Sequence, residues 1–248
     1  MNVIVFDTET TSIDKPFCYN VGYVIGDTEG NILLHRDFVV EQIWHNLALF
    51  TTAYYANKRT IYVDAMRAKK AVMDKWGYIM RTMARDMKTF EVAIAYAYNS
   101  PFDDKVFTYN NDWFKTINPL DNMPLYDVRA YFIEAFVNDV YKKWCDEHGF
   151  YTDSGNYSTT AEHAFRYVSG NLEFVEEHTA LADSEIEYQI LIGAAKKGID
   201  ITQEKSCPRS IEKTNERTLT IYKDKEIILT ENYNKITISK DKQTIKLK

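Results

Sequence analysis

The sequence predicts an α/β fold in which helices flank a mixed β-sheet, followed by a small antiparallel β meander at the C-terminus. Strand-like apolar runs open the chain, and helical patterns then alternate with further short strands as far as about residue 198. A Gly/Asn turn between the second and third apolar runs indicates a hairpin, so the sheet contains antiparallel neighbours. After Pro208 the pattern changes to short runs in which apolar and polar residues alternate.

The first hundred residues contain three strand patterns, two helical patterns and a further strand. We predict strands over 2–7, 19–26, 32–40 and 92–98, with a turn over 27–31. Helices are predicted over about 41–57 and 62–89. The second has apolar residues spaced by three or four, namely Ala65, Ala68, Val72, Trp76, Ile79 and Met83.

The next hundred residues are predicted to be mostly helical. One helix begins near Phe102 and ends before Asn118-Pro119, and a short strand at 125–128 leads into a helix that runs to about Glu147. Turn-forming residues dominate 149–158, and Thr159-Thr160-Ala161-Glu162 has the spacing of a capping box for the following helix. A last helix is predicted from about Ala182 to Lys197, with Gly198 as its stop.

The C-terminal segment is predicted to be a separate β-rich appendage. Its strand patterns lie at 218–221, 227–230, 235–238 and 244–247, and residues 220–225 recur in similar form at 237–242. We therefore divide the chain into a domain over 1–200 and an appendage over 209–248. A single thin sheet cannot bury enough apolar surface to fold alone, so we expect it to pack on the main domain or on another chain.

Composition is that of a soluble globular protein. Of the 248 residues, 45% are hydrophobic and 27% charged, and no apolar run approaches the length of a membrane span. The N-terminus lacks the pattern of a signal peptide, and Cys18, Cys145 and Cys207 are too few and too scattered for a disulfide framework or a zinc site. We expect a cytoplasmic setting. The 18 Tyr and 13 Phe serve either as core or as stacking surface for bases.

The net charge of −6 is unevenly distributed along the chain. Residues 205–248 contain 11 Lys/Arg and 6 Asp/Glu, which gives that segment +5 and leaves −11 on the rest. An acidic body with a basic end differs from a protein that coats DNA. It suits an enzyme whose carboxylates are neutralised by metal ions.

Two carboxylates follow the first strand pattern at an interval of two residues. Side chains alternate along a strand, so Asp7 and Glu9 point to the same side and Thr8 points away. Two acidic groups on one side of a buried strand repel each other unless a cation lies between them. A divalent cation bound by the carboxylate oxygens provides that positive charge. An ordinary turn after the strand also explains the pair, so Asp7 and Glu9 alone do not define a site.

Two further segments place acidic or basic side chains at the starts of helices. Asp103 falls in the first turn of the helix that follows the strand at 92–98, where a simple capping role is equally compatible with its position. His178 precedes Asp183 by five residues, which puts Asp183 on the first turn of the last helix and His178 in the preceding loop. Four carboxylates and a histidine from three segments form a set that capping and turns explain poorly.

With these three segments the chain resembles the DEDDh family of 3′→5′ exonucleases, which includes the proofreading epsilon subunit of bacterial replicative polymerase. The matching motifs are Asp7-Thr8-Glu9 with Thr10-Thr11, Asn99-Ser100-Pro101-Phe102-Asp103, and His178 followed by Asp183. The resemblance covers about residues 1–198 and implies an RNase H-like fold. The chain departs from the family at Ser12, where glycine is common, and its segment after Pro208 has no counterpart in the family core.

A second histidine and aspartate have the same spacing as the third motif. His148 and Asp153 are also five residues apart, but Asp153 continues into the loop sequence Ser154-Gly155-Asn156. Asp183 instead opens an amphipathic helix, so we assign the motif to His178 and Asp183.

The resemblance implies a mechanism with two divalent ions. Asp7, Glu9, Asp103 and Asp183 would hold two Mg²⁺ or Mn²⁺ about 4 Å apart, with Asp7 as the bridging ligand. His178 would accept a proton from the attacking water, and a 5′-mononucleotide would leave from the 3′ end. Thr10, Asn99 and Phe102 would shape the pocket for the terminal nucleotide, although Phe102 is equally suited to packing.

Three functions remain open from the sequence. The first is an exonuclease on DNA, most simply single-stranded DNA; the second is the same chemistry on RNA, as in oligoribonuclease-like enzymes. The third is a catalytically idle module that binds nucleic acid or a partner. The basic C-terminal segment is predicted to bind either nucleic-acid phosphates or a protein partner, which would be a second copy of the chain or a replicative polymerase. The alternative is that it covers exposed core of the main domain.

Overall fold

The computed structural model describes residues 1–213 and four later strands over 217–223, 226–233, 236–238 and 245–247. The chain divides into two compact units, Met1–Phe150 with Thr159–Arg209, and Tyr151–Ser158 with Ser210–Lys248. The division into 1–200 and 209–248 stays a prediction. Within the described residues, every helix is too short or too polar to cross a membrane.

The first unit is built on a mixed sheet of six strands. They are β1 (Asn2–Thr10), β2 (Cys18–Asp27), β3 (Ile32–Val40), β4 (Val72–Asp74), β5 (Val92–Ala97) and β6 (Leu125–Asp127). Their order across the sheet is β4-β3-β2-β1-β5-β6. The first three strands are antiparallel neighbours, whereas β5 runs parallel to β1 and β6 parallel to β5. This arrangement confirms the predicted α/β class with a mixed sheet flanked by helices.

Helices flank this sheet, and most lie where the sequence predicts them. They are α1 (Glu41–Trp44), α2 (Leu47–Phe50), α3 (Arg59–Arg67), α4 (Trp76–Thr89), α5 (Ser100–Phe114), α6 (Val128–Phe136), α7 (Asp139–His148), α8 (Ala161–Ser169) and α9 (Ala180–Lys196). A 3-10 turn over Ala56–Lys58 precedes α3.

Three predicted helices were wrong as single elements. The helix over 41–57 is two short helices and a 3-10 turn, and the helix over 62–89 is interrupted by β4. Lys69 takes a positive φ of 59°, which ends α3, and Val72 then pairs with Phe38 of β3. The helix predicted up to Glu147 breaks before Asn138, whose side chain caps α7 by accepting from two backbone N–H groups.

The predicted cap of α8 was wrong by one residue. Thr160, rather than Thr159, is the N-cap, and its hydroxyl accepts from the backbone N–H of His163. Gly198 follows α9 with a φ of 86°, which agrees with its predicted role as the helix stop.

Alternate residues of β2 face two different layers of helices. Val21, Tyr23 and Ile25 are buried in a core shared with Trp76 of α4 and Phe107 of α5. Gly22 and Gly26 face α9 on the opposite side, where side chains on the strand would collide with the helix. The sheet therefore separates α5, which carries Asp103, from α9, which carries Asp183.

The second unit contains the described strands of the C-terminal segment. Strand β7 (Arg217–Lys223) pairs with β8 (Glu226–Tyr233), and β9 (Ile236–Ile238) pairs with β10 (Ile245–Leu247), both antiparallel. Antiparallel pairing is as predicted, and the described strands form two separate pairs. Much of the predicted repeat, including 224–225 and 239–242, lies outside the described residues.

Candidate metal and nuclease site

Close packing of α9 against β2 positions Asp183. A Cβ atom on Gly22 would lie 2.0 Å from the backbone nitrogen of Leu181, so only glycine allows the helix start to approach the strand this closely. The Ala180 N–H donates to Oδ1 of Asn20 at 2.8 Å, and the Ser184 hydroxyl donates to the Gly22 carbonyl at 3.0 Å. The first turn of α9 is thereby fixed beside the end of β1.

Three of the predicted ligands meet at this point. Asp7 and Glu9 project from β1 on the side of α9. One carboxylate oxygen from each of Asp7, Glu9 and Asp183 lies within 4.8 Å of the other two. Asp7 lies opposite Gly22 in the strand pairing. The carboxylates of Glu9 and Asp183 are buried, and the Tyr19 hydroxyl donates to Glu9 at 3.3 Å. We refer to Asp7, Glu9 and Asp183 as the carboxylate cluster.

The carboxylate cluster is electrostatically unfavourable without a cation. Burial raises the pKa of Asp7 to about 7. Burial, followed by repulsion from Asp7, raises the pKa of Glu9 to about 9 and that of Asp183 to about 10. Among the described residues, these three carboxylates make no ion pair with lysine or arginine within 4.0 Å.

The donor set fits divalent metal ions. Oδ1 of Asp183 is fully buried and has no hydrogen-bond partner. A buried oxygen without a partner is costly, and a cation between the three carboxylates would satisfy it and remove their mutual repulsion. All three groups are carboxylates, which suit a hard divalent cation rather than a soft metal.

Asp103 approaches from the opposite side of the sheet. Its carboxylate is buried and accepts from the Thr8 hydroxyl at 2.6 Å. Burial and the neighbouring Asp7 raise its pKa well above the ordinary value. Asp103 is therefore next to the carboxylate cluster but is held by Thr8, the residue of β1 that the sequence places on the other side of the strand.

His178 lies in the loop before α9, with a positive φ of 54°. Its ring stacks on Tyr55 with centroids 4.5 Å apart, and its Nδ1 lies 3.6 Å from Oε2 of Glu176. His178, Glu162 and Glu176 form a second group. One atom of each that could bind a metal ion lies within 4.8 Å of the other two. Burial and the positive charge of Lys58 lower the pKa of His178, which favours the neutral imidazole.

Lys58 and Tyr55 are functional candidates that the sequence did not suggest. The Lys58 ammonium lies 4.7 Å from the centre of the Tyr55 ring and donates to the backbone carbonyl of Glu177. Tyr55 and Lys58 thus hold the loop that carries His178. Tyr55 falls near the end of the helix predicted over 41–57 and Lys58 directly after it, so no local pattern indicated that they would contact the His178 loop.

Two further glutamates surround the site, and the sequence does contain a signal for each. Glu187 lies one helical turn after Asp183, is buried, and accepts from the Tyr98 N–H at 3.3 Å. Its pKa is raised well above the ordinary value by burial and then by Asp7. Glu176 precedes His178 by two residues, and burial followed by Asp7 raises its pKa to about 7.

A cavity of about 420 Å³ adjoins the carboxylate cluster. It is lined by Thr8, Glu9, Thr10, Thr11, Ser12, Ile13, Thr52, Tyr54, Tyr55 and Phe102. Two of the predicted substrate-binding residues, Thr10 and Phe102, therefore face one cavity. The third, Asn99, lies at the start of α5, where its backbone N–H donates to Asp127 at 3.0 Å.

The other histidine considered in the sequence has a packing role. His148 ends α7, and its ring lies 5.4 Å from that of Trp144 and 5.7 Å from that of Phe150. These contacts form part of an aromatic cluster on α7. None of the ion pairs found among the described residues joins His148 to a carboxylate.

The raised pKa values predict how metal-free protein responds to pH. A carboxyl whose pKa is higher in the folded than in the unfolded state stabilises the fold at low pH, and this contribution is lost as pH rises. Between pH 5 and pH 9 we expect the free energy of unfolding in EDTA to fall. Urea denaturation at pH 5, 7 and 9 measures it, and added Mg²⁺ should flatten the trend. A midpoint that rises over this interval contradicts the described electrostatics.

Comparisons with known proteins give a likeness in structure only. No family model matches the sequence, and no curated protein matches it. The chain is similar to Exonuclease I in its apo form, with 18% identity and a TM-score of 0.46 over 76% of this chain and 40% of that one. The chain is also similar to Exonuclease I from Methylocaldum szegediense, with 16% identity and a TM-score of 0.47 over 79% of this chain and 40% of that one. Its similarity to E. coli Exonuclease I in complex with a dT13 oligonucleotide has 17% identity and a TM-score of 0.47 over 79% of this chain and 41% of that one. The chain spans about two fifths of the length of these proteins.

Proposed function

We propose that the chain is a metal-dependent 3′→5′ exonuclease that releases 5′-mononucleotides from single-stranded DNA. The observation that carries this proposal is the meeting of Asp7, Glu9 and Asp183 within 4.8 Å beside a cavity of about 420 Å³. A cavity of that size is within the range that holds small-molecule ligands such as a nucleotide. The first and third sequence motifs, which resemble those of the DEDDh exonucleases, supply these three carboxylates, and the second supplies Phe102 of the cavity.

The residues divide the work of phosphodiester hydrolysis between them. Asp7, Glu9, Asp103 and Asp183 would hold two Mg²⁺ or Mn²⁺, which stabilise charge on the attacking and leaving oxygens when bound. The lowered pKa of His178 leaves its ring neutral and able to accept a proton from water. The water oxygen then bonds to phosphorus, and the bond from phosphorus to the 3′ oxygen breaks. Glu176 near Nδ1 stabilises the imidazolium that forms.

The decisive experiment follows end-labelled oligonucleotides in Mg²⁺, in Mn²⁺ and in EDTA. A 3′ label should appear first as a mononucleotide, a 5′ label should give a descending ladder, and EDTA should abolish both because the ligands are then uncompensated. Asp153→Asn provides a matched control, since Asp153 is exposed and belongs to the rejected motif. Cleavage that persists in EDTA, or early release of the 5′ label, would rule out the proposal.

The same assay with RNA of identical sequence separates the two substrates. Faster degradation of RNA would keep the nuclease chemistry and change the substrate to RNA. Binding without cleavage in either metal would favour the idle module. The role of the basic segment over 209–248, whether as a contact for DNA, for a second copy or for a polymerase, stays a prediction.

A further inference from the structure

A row of aromatic side chains leads from the cavity along α5. Phe102, Tyr109 and Trp113 are seven and four residues apart, so they recur on one face of the helix. The loop over 12–17 lies beside this face and contributes Ile13 and Phe17. We refer to these five residues as the α5 ridge.

One end of the α5 ridge lies at the candidate site. Ile13 and Phe102 both line the cavity beside Glu9. The Lys105 ammonium donates to the Ile13 carbonyl at 2.8 Å, which joins the loop to the helix. Farther along, the Phe17 ring packs edge-on against Tyr109 and against Trp113, each with centroids 5.1 Å apart.

The loop is fixed to the helix from below. The buried side chain of Asn110 donates to the Pro16 carbonyl at 2.8 Å and accepts from the Cys18 N–H at 3.1 Å. The rings of the α5 ridge are therefore held in place before any ligand binds, which lowers the entropic cost of binding.

The outer part of the α5 ridge is exposed to an unusual degree. Trp113 is 62% exposed and Ile13 73% exposed, although large apolar side chains are normally buried. Lys15 and Lys105 are exposed on the loop and on α5 and carry positive charge, and Asp14, Asp104 and Asp112 are exposed on the same two segments. Flat aromatic rings flanked by lysines are the combination that binds single-stranded nucleic acid, the rings by stacking and the lysines through phosphates.

The dimensions also fit a nucleic-acid strand. The 11 steps along the helix from Phe102 to Trp113 span about 16 Å, which corresponds to roughly five nucleotides at about 3.4 Å for each stacked base. A second protein chain is a poorer occupant. Two or three half-exposed side chains provide on the order of 300 Å² of apolar surface, well below the roughly 800 Å² that each partner buries in a stable interface.

We propose that the α5 ridge binds the nucleotides of single-stranded DNA that precede the terminal one, with a base stacked on Trp113 and phosphates near Lys105 and Lys15. The inference rests on the proposed function, because it places the terminal nucleotide in the cavity. It adds a binding surface that extends the substrate contact beyond the cavity, and it predicts that affinity increases with strand length.

The test compares long and short strands in a slowed enzyme. Fluorescence anisotropy would be measured in the His178→Ala background with Mg²⁺, using dT12 and dT3 with phosphorothioate linkages at the 3′ end. Trp113→Ala should weaken the binding of dT12 about tenfold, the scale of one lost base stack, and that of dT3 less than twofold. Trp113→Phe should retain most of the affinity for dT12. Tyr78→Ala, which removes a 48% exposed aromatic ring from α4, is the matched control and should change neither affinity.

Each other outcome overturns the inference in a distinguishable way. Unchanged binding of dT12 by Trp113→Ala, or an equal loss for dT3 and dT12, excludes stacking on the α5 ridge while leaving the nuclease proposal intact. A fall in molecular mass in solution on Trp113→Ala, with affinity unchanged, would assign the ridge to self-association. Failure of the unsubstituted protein to bind or degrade any strand would refute the proposed function as well.

Discussion

Asp183→Asn is expected to abolish nuclease turnover and, at the same time, to stabilise the metal-free protein. Turnover should fall by at least about 10³-fold, because a charged ligand of the proposed metal site is lost. In EDTA at pH 8, the free energy of unfolding should rise by about 1–2 kcal/mol. The reason is that burial and neighbouring carboxylates raise the pKa of Asp183 to about 10. At pH 8 the folded protein must therefore either keep this carboxyl protonated or accept its repulsion from the other carboxylates, and both lower the free energy of unfolding.

Opposite effects on activity and stability distinguish a metal ligand from a structural carboxylate. Denaturation in EDTA and in excess Mg²⁺ measures both states, and the gain from Mg²⁺ should be smaller in Asp183→Asn than in the unsubstituted protein by mass action. Asp153→Asn should alter neither quantity, since Asp153 is exposed. If Asp183→Asn destabilises the metal-free protein, the carboxylate has a structural partner and the cation site is wrongly placed.

The alternation of side chains in β1 and the first turn of α9 could be predicted from the sequence. Period two along a strand places Asp7 and Glu9 on one side, and Asp183 falls on the first turn of its helix whatever the tertiary structure. The close approach that brings Asp183 to Asp7 depends on Gly22, which lies in a different element. Nothing in the local sequence identifies that contact, so the meeting of the ligands rested on the family resemblance.

The segment over 41–74 shows where the sequence was insufficient. Its apolar residues recur at helical spacing, yet Lys69 adopts a left-handed conformation and Val72 joins the sheet. Pairing with β3 supplies backbone hydrogen bonds that outweigh the local helical preference of these residues. Tyr55 and Lys58 lie in the same segment, and for this reason their contacts with the His178 loop could not be anticipated. Glu187 could have been anticipated, because it is four residues from Asp183 on the same helix.

His178→Ala should lower turnover by about 10²–10⁴-fold, the usual effect of losing a positioned acid-base group. Binding of DNA should change little, because the four proposed metal ligands remain. Turnover measured against pH provides the sharper result. Activity of the unsubstituted enzyme should fall once acid protonates His178, and since the pKa of His178 is lowered, this fall should lie below the usual range for histidine. The fall should be absent in His178→Ala.

His148→Ala is the matched control for this experiment. His148 has the same spacing to an aspartate but packs against Trp144 and Phe150, so its loss should cost some stability and leave turnover within a few-fold of normal. Tyr55→Ala provides an intermediate case, because it removes the ring on which His178 stacks while leaving the imidazole in place. Equal losses of turnover in His178→Ala and His148→Ala would show that neither ring acts on the substrate. A large loss of turnover in His148→Ala alone would assign the third motif to His148 and Asp153. The pH dependence of turnover gives a second criterion, because it can follow only the histidine that accepts the proton.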